Sequence, residues 1–157
     1  MATIHSGRQA AIVPQPRADS PFRFVTPTPF RWVDVDSEGI VNHAVYLSLM
    51  EQARFCYFEQ LGLLGGKNIP FVLAETTVRY RMPGVLRMEP VTAARVTRLG
   101  RTSFAMDFEI RVADGVLVDA SAVLVFVDTD LQPTPIPDRV RDRIAAFEGI
   151  SPHAATV

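Results

Sequence analysis

Asn42-His43-Ala44-Val45-Tyr46-Leu47-Ser48-Leu49-Met50-Glu51-Gln52-Ala53-Arg54-Phe55-Cys56-Tyr57-Phe58-Glu59-Gln60-Leu61-Gly62 is the stretch whose reading decides the architecture. Asn is a good N-cap, nothing from His43 to Leu61 breaks a helix, and Gly62 is the usual stop just beyond one. The apolar side chains, from Val45 and Tyr46 through Phe58 and Leu61, leave only a narrow polar stripe, so the helix is expected to be buried on most of its circumference. One helix that apolar needs a surface to wrap it.

The flanking sequence supplies that surface. Upstream, Phe22, Phe24, Val25, Phe30, Trp32 and Val33 read as a first strand that runs into the polar turn at 34–39. Pro27 and Pro29 cannot donate ladder hydrogen bonds, so this strand belongs at a sheet edge or carries a bulge. Downstream of a Gly65-Gly66 turn the period changes to two, with Ala74, Thr76, Val78, Tyr80 and Met82 alternating with Glu75, Thr77, Arg79 and Arg81. Meander strands over 91–99, 104–112 and 116–127 follow, and the pattern predicts an amphipathic helix over 138–147 with Val140, Ile144 and Phe147 on one face. The order is that of an α+β domain whose five-stranded antiparallel sheet curves around one long helix, which is the hotdog arrangement. The expected organisation is a flexible tail over 1–21, one domain over 22–149 and a short tail over 150–157. A single sheet of this kind leaves an edge and an apolar face open, which a second copy of the chain is expected to cover in a homodimer or homotetramer.

Composition narrows the partners. With 48% hydrophobic and 21% charged residues in 157, the chain can bury a core of its own. A net charge of −1 gives no cationic field for a polyphosphate backbone, so nucleic acid is not an expected partner. The longest apolar run, 122–127, falls far short of the ~20 residues a spanning helix requires, and no membrane association is expected. Residues 1–21 hold no apolar stretch of signal-peptide type and Cys56 stands alone, so a reducing cytoplasm is the expected compartment. His5, His43 and His153 with one cysteine cannot assemble a Cys/His zinc cluster, and no metal is expected.

The chemistry points to Asp34-Val35-Asp36-Ser37-Glu38-Gly39-Ile40-Val41-Asn42-His43. A calcium-loop reading fails, because the position that needs a bidentate Glu is Val45. A bland reading is available: Asp34 and Asp36 shape an Asx-turn and Asn42 caps a helix. The functional reading is geometric. A carboxylate in the loop before a helix, facing that helix's free N–H groups, sets a base or nucleophile opposite an oxyanion site. The N–H groups around Asn42, His43 and Ala44 would polarise a thioester carbonyl, while Asp36 attacks it or activates water.

At these residues the chain resembles the hotdog acyl-CoA thioesterases of the 4-hydroxybenzoyl-CoA thioesterase-like branch, with their Asp-x-Asp-x-x-Gly-x-Val signature and following long helix. The likeness continues through Asn42-His43-Ala44-Val45-Tyr46-Leu47 and Met50-Glu51-Gln52-Ala53-Arg54. The resemblance implies that Asp36 is the catalytic carboxylate, that the helix start beside Gly39, Asn42, Ala44 and Tyr46 receives the substrate, and that His43 occupies a position many members give to His. It implies an acyl-CoA or acyl-carrier thioester as substrate and no cofactor, CoA being part of the substrate. Trp32 stands where some members have Tyr, and Asn42 where others have an aromatic residue.

CoA carries phosphates, so arginines should ring the pocket mouth. Arg98-Leu99-Gly100-Arg101-Thr102-Ser103 resembles the family's basic turn, with Arg101 first and Ser103, Arg98, Arg79 and Arg81 following as substrate-binding candidates. Asp34 is expected to matter much less than Asp36. Glu51, a weaker carboxylate candidate, is expected to pair with Arg54, and Cys56 has no histidine at triad-like spacing. Two rivals remain on the sequence. A hotdog hydratase would want Asp and His closer together around a Pro, and a non-catalytic acyl-CoA sensor would carry the same pocket without turnover.

Overall fold

The computed structural model describes residues 15–64 and 70–152. The Gly65-Gly66 turn, His5, His153 and most of both expected tails lie outside the described residues. The elements run β1 (Phe24–Pro27), a 3-10 turn (Trp32–Asp34), α1 (His43–Gln60), β2 (Phe71–Tyr80), β3 (Val91–Leu99), β4 (Ser103–Val112), β5 (Gly115–Phe126) and α2 (Asp138–Glu148). The strands form one five-stranded antiparallel sheet in the order β1-β3-β4-β5-β2, curved around α1.

Two expectations need correction. The first strand is only four residues long. Thr28 N–H turns to Pro90 O at 3.0 Å, and the chain then coils through Trp32–Asp34 instead of continuing as strand to Val33. The prolines do place β1 at an edge, as expected. β3, β4 and β5 form the expected meander, and β2 lies at the far edge, hydrogen-bonded to β5, with a bulge between Leu73 and Glu75.

The second correction is that α1 is buried along one side, through Tyr46, Met50, Ala53, Tyr57 and Phe58. Leu47 and Phe55 are 44% and 50% exposed. The sheet embraces α1 from the β1–β3 side and leaves its β2 side open. Cavities of about 530 and 550 Å³ lie there, sharing Glu51, Arg54 and Phe71.

The core between sheet and helix is aromatic. Phe58 meets Phe104 edge-on at 5.8 Å, and Tyr57 meets both Phe24 and Phe147 edge-on. α2 closes the other end of the molecule, with Ile144 fully buried and Val140 and Phe147 packed beside it. Buried Arg141 donates from Nη2 to Gly100 O at 2.8 Å and from Nη1 to Pro152 O at 2.7 Å, which fixes the β3–β4 turn against the helix. No helix among the described residues is long and apolar enough to cross a membrane.

Candidate active site

The loop before α1 is a small closed structure. Val35 and Val41 form an antiparallel bridge, and Asp36 N–H donates to Ile40 O at 2.9 Å. Gly39 makes the reversal at φ +80°, a left-handed conformation that a glycine adopts without steric cost. Asp36 is exposed, and its Oδ1 accepts the N–H groups of Glu38 at 2.9 Å and Ile40 at 3.1 Å. The Asx-turn of the bland reading is therefore present. It engages one carboxylate oxygen and leaves Oδ2 without a partner among the described residues.

Asn42 caps α1 as expected, its Oδ1 accepting Ala44 N–H at 2.9 Å. Asn42 N–H itself donates to Asp34 O at 2.8 Å. Of the three N–H groups nominated as oxyanion donors, those of Asn42 and Ala44 are thus already engaged. The N–H of His43 is the one left open.

A cavity of about 310 Å³ opens at the same place, lined by Ile40, Val41, His43, Tyr46, Tyr80, Arg81, Met82 and Pro83. Tyr80 donates to His43 O at 3.1 Å, and its ring meets Tyr46 edge-on at 5.7 Å. Buried Tyr46 accepts Gly84 N–H at 3.1 Å, and desolvation pushes its hydroxyl pKa above the ordinary phenol value. A Cβ on Gly84 would stand about 2.5 Å from the Tyr46 hydroxyl oxygen, so this close approach requires glycine.

The arginine candidates divide between the two ends of the sheet. Arg79 and Arg81 stand at the end of β2 beside the start of α1. Arg81, however, forms a bidentate pair with Asp119, Nη2 to Oδ2 at 2.7 Å, which holds the Asp119 carboxyl below its usual range. Arg98, Arg101 and Ser103 sit at the opposite end, where Ser103 faces Val125 and Leu99 faces Phe104. Tyr80 and Ile110 both pair with Val118 at the His43 end. At about 3.3 Å per residue the two groups are roughly 25 Å apart along the strands of one chain.

Asp34, expected to matter little, is the buried carboxylate of the loop, at 2% exposure. It accepts Arg31 N–H at 2.7 Å and the Arg31 guanidinium at 2.8 Å, and these hydrogen bonds hold its carboxyl below the usual carboxylate range. Sequence reasoning gave no site role to Arg31 or Tyr80. Opposite charges at i and i+3 in Arg31 and Asp34 were the available signal for the first. Glu51 does pair with Arg54, at 3.4 Å, and burial lowers the Arg54 pKa. Cys56 receives an N–H from Gln52 at 3.4 Å.

The chain is similar in sequence and fold to known proteins. A sequence model described as the thioesterase superfamily matches residues 38–118. The acyl-CoA thioester hydrolase YbgC of Escherichia coli O6:H1 is 29% identical over 119 residues, 69% of this chain and 88% of the relative. Among solved structures, a thioesterase from Thermus thermophilus, complexed with coenzyme A and zinc, is 34% identical with a TM-score of 0.75, covering 83% of this chain and 98% of that one. A thioesterase superfamily structure from a Jannaschia species is 27% identical with a TM-score of 0.73, covering 83% and 86%.

Proposed function

The chain belongs to the thioesterase superfamily and is a thioester hydrolase; we propose that it cleaves acyl-CoA thioesters to a carboxylic acid and CoA, with Asp36 as its catalytic carboxylate. The observation that supports this reading is that Asp36 Oδ2 and the His43 N–H are both left open, at the two ends of the loop that leads into α1. The thioester carbonyl oxygen accepts from His43 N–H, where the positive end of α1 stabilises the developing oxyanion. Asp36 Oδ2 takes a proton from water as that water adds to the carbonyl carbon. Collapse of the tetrahedral intermediate breaks the C–S bond, and the thiolate leaves to be protonated as CoA. With Asp36 as nucleophile instead, its oxygen adds to the carbonyl carbon and expels the CoA thiolate to give a mixed anhydride, which water cleaves to the carboxylic acid and the free Asp36 carboxylate. The aromatic wall of Tyr46 and Tyr80 receives the acyl group near the carbonyl.

The same reading includes a second copy of the chain along β2. Antiparallel pairing of two β2 strands about Thr77 sets Glu75 opposite the partner subunit's Arg79, and Arg79 opposite the partner subunit's Glu75. It also covers Leu73 and Val72, which are 52% and 42% exposed. Because the pairing reverses direction, it carries the partner's β3–β4 turn to the end of the joined sheet where α1 begins. Arg98, Arg101 and Ser103 then serve the nucleotide end of CoA bound beside the other copy's His43.

Thiol release from aromatic, branched and medium-chain acyl-CoAs and from acyl-carrier thioesters tests the reaction. Stoichiometric release of CoA from at least one acyl-CoA is expected. Binding of acyl-CoAs without release, or release from carrier thioesters alone, would overturn it.

A further inference from the structure

Asp34 is the one carboxylate among the described residues that is buried, and nothing in the proposed chemistry uses it. A buried carboxylate is costly unless paired and hydrogen-bonded. Here the pairing is thorough. Oδ2 accepts Arg31 N–H at 2.7 Å, Oδ1 accepts Nη2 at 2.8 Å, and Nε bridges both oxygens at 3.2 and 3.3 Å. The Asp34 N–H returns a bond to Arg31 O at 2.9 Å. The Arg31 side chain is 71% exposed, so it closes over the carboxylate from the solvent side.

The clamped residue then reaches across the loop. Asp34 O accepts Asn42 N–H at 2.8 Å, and Asn42 is the residue whose side chain caps Ala44. One residue further on, Val35 bridges Val41, and the next is Asp36 itself. A shift of Asp34 would therefore move the first turn of α1, with its open His43 N–H, relative to the Asp36 carboxylate. A neutral side chain at 34 could still cap the turn. The fork geometry of a guanidinium on a carboxylate adds a fixed orientation that a single neutral hydrogen bond does not.

We propose that Asp34, clamped by Arg31, is a positioning residue for the thioester hydrolysis: through Asn42 it sets the register between the Asp36 carboxylate and the His43 N–H. This rests on the catalytic reading of Asp36 given above. Displacing reacting groups by a fraction of an ångström to one ångström is enough to cost rate without costing binding.

The test compares Asp34→Asn, Arg31→Gln and Arg31→Lys with Asp36→Asn in the full chain, using the acyl-CoA of highest turnover. Expected for Asp34→Asn and Arg31→Gln is a 10- to 50-fold loss of kcat with KM within twofold of wild type, in proteins still folded at the assay temperature. The double variant Asp34→Asn/Arg31→Gln should be no slower than the worse single one, because the two side chains act as a unit. Arg31→Lys keeps the charge without the fork and should recover part of the rate. A merely stabilising pair would lower the melting temperature and leave kcat per folded molecule unchanged. A kcat within twofold of wild type in either folded variant, or a loss carried wholly by KM, overturns the proposal. Should Asp34→Asn fail to fold, Arg31→Gln decides alone, since its side chain is mostly in solvent. Collapse of Asp36→Asn with intact kcat in Arg31→Gln removes the positioning role only. Wild-type turnover in Asp36→Asn removes the catalytic reading itself.

Discussion

Tyr57 of the central helix donates its hydroxyl hydrogen to Glu148 Oε1 at 2.7 Å, across 91 residues of sequence. The same oxygen accepts Val96 N–H at 2.9 Å, beside the bulge in β3. One carboxylate thus joins α1, α2 and the sheet, and it satisfies a hydroxyl in a fully buried ring.

Tyr57→Phe removes the donor and leaves the rest of the contact intact, so a loss of about 1 kcal/mol is expected in urea denaturation. Glu148→Ala strands both the hydroxyl and the Val96 N–H, and should cost about 2–4 kcal/mol by the same measurement. Equal losses for the two variants would show that Glu148 satisfies only one of them.

Desolvation pushes the Glu148 carboxyl above its ordinary value of 4.5, against the hydrogen bonds and the arginines Arg23 and Arg95 that favour the charged form. A carboxyl that holds its proton more tightly folded than unfolded contributes stability below the unfolded pKa and loses it as pH rises through the folded one. The stability difference between wild type and Glu148→Gln should therefore shift against wild type as pH rises above the ordinary carboxyl value of 4.5. Melting temperatures across that rise check the sign.

Asp36→Asn should keep the fold, because an amide oxygen can still accept the Glu38 and Ile40 N–H groups. Turnover should fall by at least about 100-fold, since the amide is neither base nor competent nucleophile. Single-turnover hydrolysis in labelled water separates the two roles of Asp36: label in the Asp36 side chain marks the nucleophile, and label in the product acid with none in Asp36 marks the base.

Gly39→Ala finds open space around a Cβ but must hold φ near +80°. A cost of about 1 kcal/mol is expected from that conformation. Because the reversal carries Asp36, kcat should fall with stability. Gly84→Ala meets the Tyr46 hydroxyl instead and should disturb the acyl cavity first, read as a rise in KM.

Glu75→Arg places like charges opposite each other in the proposed β2 pairing and should shift sedimentation toward monomer, with loss of activity. The exchange Glu75→Arg/Arg79→Glu restores opposite charges and should restore both. A fully active Glu75→Arg monomer would remove the second copy from the site.

Much of this was legible in the chain itself. The start and stop of α1 follow from the local chemistry of Asn42 and Gly62, and the strands 91–99 and 104–112 from alternation alone. The place of β2 beside β5 did not, because pairing across the sheet is chosen by packing between distant segments. The length of β1 failed for a related reason: Phe30, Trp32 and Val33 look like strand residues, yet Pro27 and Pro29 deprive the ladder of donors. In the loop before α1, the Asx-turn at Asp36 could be read from the sequence. Asp34 could not, since hydropathy puts a lone Asp at the surface and only the folded Arg31 side chain makes its burial tolerable.

The far-edge position of β2 also governs how the chain acquires its structure as it is made. The only strand that β2 pairs with is β5, and β5 is synthesised last of the strands. At about 5–20 residues per second, α1 and β2 spend several seconds outside the ribosome before their partners exist. During that interval the apolar face of α1 has no sheet to pack on, and β2 offers both of its edges to other chains. High contact order of this kind slows folding, so nascent chains on neighbouring ribosomes are the competitors that a cell expressing this protein must keep apart.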